Sequence, residues 1–173
     1  MQDIITKKYQ EEFGIELEKY FKFNSSHFVI YKDSAETLHG HNYKVSIKIK
    51  CRRLSEENLV LDFDIVKPIV TNICNELKHC LILPKLHPDL KIEEEAENNY
   101  KIICRDVYFS IDKNSVKIIE AENITAECLA KYILLKTYEK LRVNKDFEYI
   151  EVMKLVCRVY EDKGKCGIYS IRI

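Results

Sequence analysis

The segment from Asn42 to Cys51 constrains the fold more than any other. Tyr43, Val45, Ile47, Ile49 and Cys51 alternate there with Lys44, Ser46, Lys48 and Lys50. Period two puts one set against a core and the lysines in water, which describes a half-buried β-strand. Such a strand needs a neighbour, and the stretch from about Gly14 to Phe23, rich in Phe and Tyr and imperfectly alternating, is read as that partner. The period then changes. Ile65, Ile69, Ile73 and Leu77 recur every four residues with Val66 and Val70 beside them, so a helix follows, with Asp64 as its N-cap and Pro68 near the first turn, where proline is tolerated. A second helix fits Thr125–Arg142, with the stripe Ala126, Leu129, Ala130, Ile133, Leu134, Tyr138 and Leu141, and with Glu127 favourably placed in its first turn. Two strands close the chain, Tyr149–Tyr160 and Cys166–Ile173, joined through a turn at Glu161–Lys165. Between the helices, the acidic stretch Leu90–Asn99 reads as a mobile excursion, an insertion near residues 88–100, with Lys101–Asp112 and Ser115–Glu120 as a hairpin behind it. The order β-β-α-(β-β)-α-β-β predicts an α+β domain: an antiparallel sheet with two helices on one face. The other face of so small a sheet needs cover, which points to oligomerisation.

Composition narrows the class. A chain of 173 residues suits one domain, taken here as residues 15–173 behind an N-terminal extension of residues 1–14. Lys+Arg and Asp+Glu are both 28, and this charge balance argues against a nucleic-acid binder. No run of about 18 apolar residues offers a transmembrane helix. The N-terminal MQDIITKKYQEEFG is too charged for a signal peptide, so a cytoplasmic protein is expected. Its seven cysteines form no C-x-x-C pair and are expected as reduced, mostly buried thiols; their spacing argues against a thiolate zinc site.

Among five histidines, His39-Gly40-His41 is the informative pair. On an extended chain residues i and i+2 project to one side, so both imidazoles can reach one ion. If the first two strands form a hairpin, His27 comes near them. Three neutral imidazoles hold Zn²⁺ and leave a fourth position open, from which the ion can acidify a hydroxyl. Spacing alone leaves open a surface or turn role, the commoner fate of an isolated H-x-H, and copper, nickel and iron also accept imidazole. His79 reads equally well as a histidine meeting the dipole at the first helix's C-terminus.

Taken in order, FNSSHF, LHGHNYKV, the Asp-Phe-Asp of LVLDFDIVKP, LKHCLILP, ITAECLAKYI and VCRVYED resemble the 6-pyruvoyltetrahydropterin synthase family from about Leu17 to the C-terminus. The resemblance implies a tunnelling fold (T-fold) with a four-stranded antiparallel sheet and two helices. It also implies trimers whose sheets form a barrel, stacked as a homohexamer with active sites between subunits. It places the zinc ligands on His27, His39 and His41, a pterin-anchoring carboxylate on Glu161, and further substrate-site positions on Thr125 and Glu127. A carboxylate suits that anchoring role, since it can accept two hydrogen bonds from the pterin's amino and ring N–H groups.

Two departures from the family pattern bear on chemistry. The loop YKDSAETLHGH lacks the family's usual catalytic cysteine and carries Glu36 instead, similar to the variant often called type III. That variant is associated with converting 7,8-dihydroneopterin triphosphate to 6-hydroxymethyl-7,8-dihydropterin for folate synthesis. In LKHC, Lys78 stands where an aspartate usually orients the catalytic histidine, here His79, and a charged lysine accepts no hydrogen bond. The expected function is therefore a zinc-dependent lyase on a pterin triphosphate, with Glu36 as base and His79 as proton relay. Lys32, Lys44, Lys48 and Lys50 are candidate triphosphate partners. The alternatives are a pyruvoyl-forming or 6-carboxytetrahydropterin synthase, a non-catalytic zinc- or pterin-binding homologue, and an oligomeric scaffold with satisfied core histidines.

Overall fold

The structure, a computed structural model, describes residues 11–173. Most of the expected N-terminal extension lies outside the described residues. Strand β1 (Phe13–His27) pairs antiparallel with β2 (His39–Cys51) along nearly its whole length. The uneven alternation of β1 has a local cause. Its register shifts between Leu17, opposite Ile47, and Phe21, opposite Val45; Lys19 takes φ 51° there and donates its N–H to Ser46 Oγ at 2.7 Å. This irregularity returns Phe21 and Phe23 to the core face. The strand also runs past Phe23, so His27 is its last residue, directly opposite His39, with Ser25 opposite His41.

Helix α1 (Phe63–Glu76) is capped by Asp62, not by Asp64 as expected. Asp62 is the residue with extended backbone geometry, and its carboxylate accepts the Asp64 N–H at 2.8 Å. Strand β3 (Leu81–Pro84) follows, and then β4 (Leu90–Glu95), β5 (Asn99–Cys104) and β6 (Val107–Asp112). A 3-10 turn at Lys113–Ser115 leads into β7 (Val116–Ile119). Helix α2 (Ala126–Leu141), the short α3 (Lys145–Tyr149), β8 (Val152–Asp162) and β9 (Lys165–Arg172) complete the chain.

The main sheet corrects the four-stranded antiparallel expectation. It has six strands in the order β7-β3-β1-β2-β8-β9, and it is mixed, because β3 pairs parallel with both β1 and β7. All four residues of β3 are buried, so it shows no alternation and reads as an apolar tail to the preceding helix. The acidic stretch is likewise a strand. In β4, Leu90 and Ile92 turn toward a second core containing Phe28, Ile30, Leu81, Leu83, Ile102 and Cys104, while Lys91 and Glu93 face water. Lys101–Glu93 (3.6 Å) and Lys113–Glu94 (3.1 Å) ion pairs offset its acidic charge. Residues Lys101–Asp112 do not pair with Ser115–Glu120. They double back on themselves at Arg105 (φ 54°), giving the three-stranded sheet β4-β5-β6. The expected strand start at Tyr149 is the end of α3, and β8 begins at Val152.

Helix α2 packs on β8 and β9, and α1 packs on α2 and β1. Val45, Ile47, Ile49, Val66, Val70, Leu129 and Ile133 are fully buried between these layers. The opposite sheet face needs less apolar cover than expected. Lys48–Glu16 (3.1 Å) and Lys50–Glu12 (2.7 Å) pair across it, and Arg158 also bonds Glu16.

One close approach fixes where α2 begins. A Cβ on Gly167 of β9 would lie 2.3 Å from the backbone of Ala126 and of Glu127. Only glycine lets the helix N-terminus sit this deep against the strand. Gly167→Ala is expected to destabilise the fold by about 2–3 kcal/mol through overpacking. Thermal unfolding should show a melting temperature lower by roughly 5–10 °C; an unchanged midpoint would refute the packing argument.

Candidate metal centre

The antiparallel register brings His27, His39 and His41 to the end of the β1–β2 pair. Their ligating atoms all lie within 4.8 Å of one another, and the ring centroids are 4.6–5.2 Å apart. Two rings are oriented by backbone carbonyls. His27 Nδ1–H donates to the Ile124 carbonyl at 2.7 Å, and His39 Nδ1–H donates to the Thr37 carbonyl at 2.9 Å. Both bonds leave Nε2 bare, the tautomer that a metal requires. His27 Nε2 is buried and has no hydrogen-bond partner. Burial pushes the His27 pKa down, aided by the charges of His39 and His41 and only partly opposed by the Ile124 carbonyl, so the ring is held neutral. A buried imidazole nitrogen with no partner, facing two more imidazoles, fits a divalent cation of the zinc class.

The cluster borders a cavity of about 300 Å³ that gathers most of the residues expected at a site. His27, His39, Glu36, Thr125, Glu127 and Glu161 all line it. Glu36 lies on the loop between β1 and β2, and its Oε2 is 3.9 Å from His39 Nε2. The same oxygen accepts the Val29 N–H at 3.1 Å, and Oε1 accepts the Tyr31 hydroxyl at 2.8 Å. Partial burial acts to raise the Glu36 pKa, but these two donors and the charge of His39 bring it below the ordinary carboxylate value. Thr125 caps α2 by accepting the Cys128 N–H at 3.3 Å, which leaves its own hydroxyl proton to donate. Glu127 is exposed in the first turn of α2. Glu161 is half-buried near the end of β8.

His79 is not brought into this cavity. It follows the α1 C-cap with φ 59°, donates its N–H to the Asn24 carbonyl at 2.7 Å, and lines a separate cavity of about 440 Å³ with His41, Asn24, Ser26 and Asn42. Among the described residues no carboxylate bonds its ring, and Lys78 beside it is exposed. Of the expected triphosphate partners, Lys48 and Lys50 are neutralised by Glu16 and Glu12 on the far sheet face. Lys44 stands opposite Lys22 on that face, and Lys32 is exposed on the Glu36 loop.

Sequence reasoning missed four residues around the cluster. Tyr31 holds Glu36. Asn123 clamps the same loop, donating to the Ile30 carbonyl at 2.7 Å and accepting the Ile30 N–H at 3.2 Å. Tyr43 stacks on Phe23 (4.7 Å between centroids) beneath His27 and His41, with its hydroxyl buried and unpartnered. Lys165 lines the same cavity as Glu161. Only Tyr43 carried a signal, as the third member of the His39, His41, Tyr43 alternation.

Three clustered imidazoles, two of which line a cavity with Glu36, Glu127 and Glu161, fit the arrangement of an imidazole-metal site. The chain belongs to the 6-pyruvoyl tetrahydropterin synthase family, whose sequence profile matches residues 16–171. It is thus a lyase of a pterin-processing family with a T-fold domain. A protein of Methanocaldococcus jannaschii with the provisional name 6-carboxy-5,6,7,8-tetrahydropterin synthase is 32% identical over 145 residues, covering 84% of this chain and 88% of that protein. The crystal structure of 6-pyruvoyl tetrahydropterin synthase from Plasmodium vivax superposes with a TM-score of 0.87 at 30% identity, covering 94% of this chain and 99% of that one. The Plasmodium falciparum enzyme is similar, with a TM-score of 0.86, 32% identity and the same coverage. Two further structures of the P. vivax enzyme replace a glutamate named as its catalytic residue by alanine and by cysteine.

Protein equilibrated with zinc is expected to hold one ion per chain by mass spectrometry. His27→Ala should weaken zinc binding by more than about 100-fold, the upper range for losing an outer-shell partner alone. Equal zinc affinity in the two proteins would remove His27 from the metal centre.

Proposed function

We propose that this chain cleaves the side chain of 7,8-dihydroneopterin triphosphate to give 6-hydroxymethyl-7,8-dihydropterin, as the type III variant of its family does. The observation that carries this reading is the ionised carboxylate of Glu36, 3.9 Å from His39 Nε2 and in one cavity with Glu161. The catalytic glutamate of the P. vivax enzyme supports it. The cavity contains one thiol, Cys166, and burial pushes its pKa up, so it stays protonated. A low-pKa carboxylate is a poor base for a C–H proton and an adequate one for a hydroxyl acidified by a neighbouring cation.

His27, His39 and His41 hold zinc in this reading, and zinc supplies Lewis acidity toward the side-chain hydroxyls. Glu161 accepts two N–H bonds from the pterin and sets its orientation. Glu127 and Thr125 border the same ring pocket, and Lys165 offers the cavity's one cationic side chain among the described residues. Glu36 takes the C2′ hydroxyl proton. The C1′–C2′ bond then breaks, its electrons pass into the pterin ring, and C2′ leaves as a two-carbon aldehyde bearing the triphosphate. His79 enters as proton relay only in a homohexamer whose sites lie between subunits, because within one chain it opens on the other cavity.

The name of the M. jannaschii relative favours a second reading, a 6-carboxytetrahydropterin synthase. One assay separates the two. Zinc-loaded protein incubated with dihydroneopterin triphosphate is expected to release the 6-hydroxymethyl pterin, and Glu36→Ala is expected to lose about 10²–10⁴-fold in kcat. A carboxy or pyruvoyl pterin from the unaltered protein would overturn the proposal, as would full hydroxymethyl formation by Glu36→Ala.

A further inference from the structure

The sheet face turned away from the helices carries two lysines that the proposed reaction does not use. Period two puts Lys22, Asn24 and Ser26 of β1 on that face, beside Gly40, Asn42 and Lys44 of β2. The register sets them in rows: Lys22 opposite Lys44, Asn24 opposite Asn42, and Ser26 opposite Gly40. Like charges facing each other across a strand pair repel. Both lysines are exposed, and the carboxylates of this face serve other cations: Glu12 pairs with Lys50, and Glu16 with Lys48 and Arg158. Across β8, Lys44 faces Tyr160, whose ring lies under Lys19 at 5.1 Å; Lys19 in turn meets Glu18 at 3.5 Å. Asp162, the next carboxylate along β8, lies beyond the last β2 pair and accepts the Lys163 N–H at 2.7 Å. In the other direction the asparagine row opens into the cavity of about 440 Å³. Asn24, Ser26, Asn42, Ser115 and His79 line it, and its lining holds no Asp or Glu.

We propose that the Lys22–Lys44 row and the donor-lined cavity beside it bind a phosphate chain. The two ammonium groups supply charge, the hydroxyls and carboxamide N–H groups supply directed donors, and no carboxylate in the lining repels the ligand. Successive rows on one face lie about 7 Å apart along a strand, a gap that the four-carbon stem of a lysine spans. A chain of phosphates seated against the asparagine row therefore meets both ammonium groups. It also removes the repulsion between them, so binding stabilises the β1–β2 pair. His41 of the metal cluster borders the same cavity. The phosphate chain thus has two sources: the tail of a pterin triphosphate held at a metal centre, in this chain or in a second copy, or a separate phosphorylated molecule. Both present the same chemistry to the lysines, and neither depends on which product the pterin yields.

Inorganic tripolyphosphate is the probe, titrated calorimetrically into the zinc-loaded protein, with zinc content measured before and after. The unaltered protein is compared with Lys22→Ala, Lys44→Ala and Lys48→Ala. The unaltered protein is expected to bind the probe, and Lys22→Ala and Lys44→Ala to bind it about 10-fold more weakly. Lys48→Ala, which removes a lysine already paired with Glu16, should stay within about twofold. All four should keep their zinc and melt at about the same temperature, as surface substitutions do. No binding by the unaltered protein overturns the proposal. So does equal binding by Lys22→Ala and Lys44→Ala, which puts the probe on the zinc, and so does equal loss in all three variants, which reports only general attraction to a basic face. Pterin fluorescence then separates the two sources, using 7,8-dihydroneopterin with and without its triphosphate. If the tail occupies the site, Lys44→Ala binds the triphosphate form about 10-fold more weakly and the unphosphorylated form unchanged. If a separate molecule occupies it, Lys44→Ala binds both pterins normally and still loses tripolyphosphate. These measurements read binding alone, so failure of the proposed cleavage is seen separately, in the product assay.

Discussion

The hydrogen bond from His27 Nδ1–H to the Ile124 carbonyl, 2.7 Å long, organises the rest of the site. It joins the last residue of β1 to the segment that starts α2, which is 97 residues away in sequence. It also decides which nitrogen of a buried ring faces the cluster. Leaving Nε2 without a partner costs about 1–3 kcal/mol in the metal-free protein, a cost that a bound cation removes. The neighbouring residues extend the same junction. Asn123 clamps the Glu36 loop through Ile30, and Thr125 caps α2 at the edge of the cavity. Three consecutive residues thus set the position of a loop, a metal-facing ring and a helix end. Gly167 completes the junction by letting β9 approach that helix end closely.

How much of this was legible in the chain follows from the range of each interaction. Period two in β2 was enough to place its core face; His39-x-His41 offered a metal pair that spacing alone left open, and the resemblance put the ligands on His27, His39 and His41. The β1 partner was visible but its end was not, because the irregularity at Lys19 breaks the alternation that would have carried the strand on to His27. Strand β3 was lost because burial on both faces erases periodicity, and β4 because three consecutive glutamates mask Leu90 and Ile92. Glu36, Glu161, Thr125 and Glu127 came from resemblance, and the fold gathers them in one cavity. Tyr31 and Asn123 had no local signature. Their roles depend on a tight turn of the loop and on a side chain reaching across 93 residues, and neither composition nor spacing encodes such contacts.

Basicity links the geometry to the choice of reaction. A thiolate with an ordinary value near 8.5 can pull a carbon-bound proton, whereas a carboxylate near 4.3 is several powers of ten weaker as a base. Here the Tyr31 hydroxyl and the Val29 N–H lower Glu36 further. That arrangement secures the charged form but gives up basic strength. It is useful only if the proton to be removed is already acidic, as a hydroxyl beside a cation is. In the proposed reaction, the two donors that hold Glu36 favour hydroxyl deprotonation, and with it carbon–carbon cleavage, over the C–H abstraction that leads to triphosphate elimination.

The cluster stands between two cavities, and that division bears on the proton economy. His27 and His39 face the side with Glu36, Tyr31 and Glu161; His41 faces the side with His79. His79 lies two residues past the α1 C-cap, and its φ of 59° costs a non-glycine residue about 1–2 kcal/mol. Its N–H bond to the Asn24 carbonyl offsets part of that cost. Lys78, exposed beside it, cannot accept the bond that would orient the imidazole. Within one chain, then, the carboxylate that reaches the metal-facing nitrogen of His39 is Glu36, held by the Tyr31 hydroxyl and the Val29 N–H.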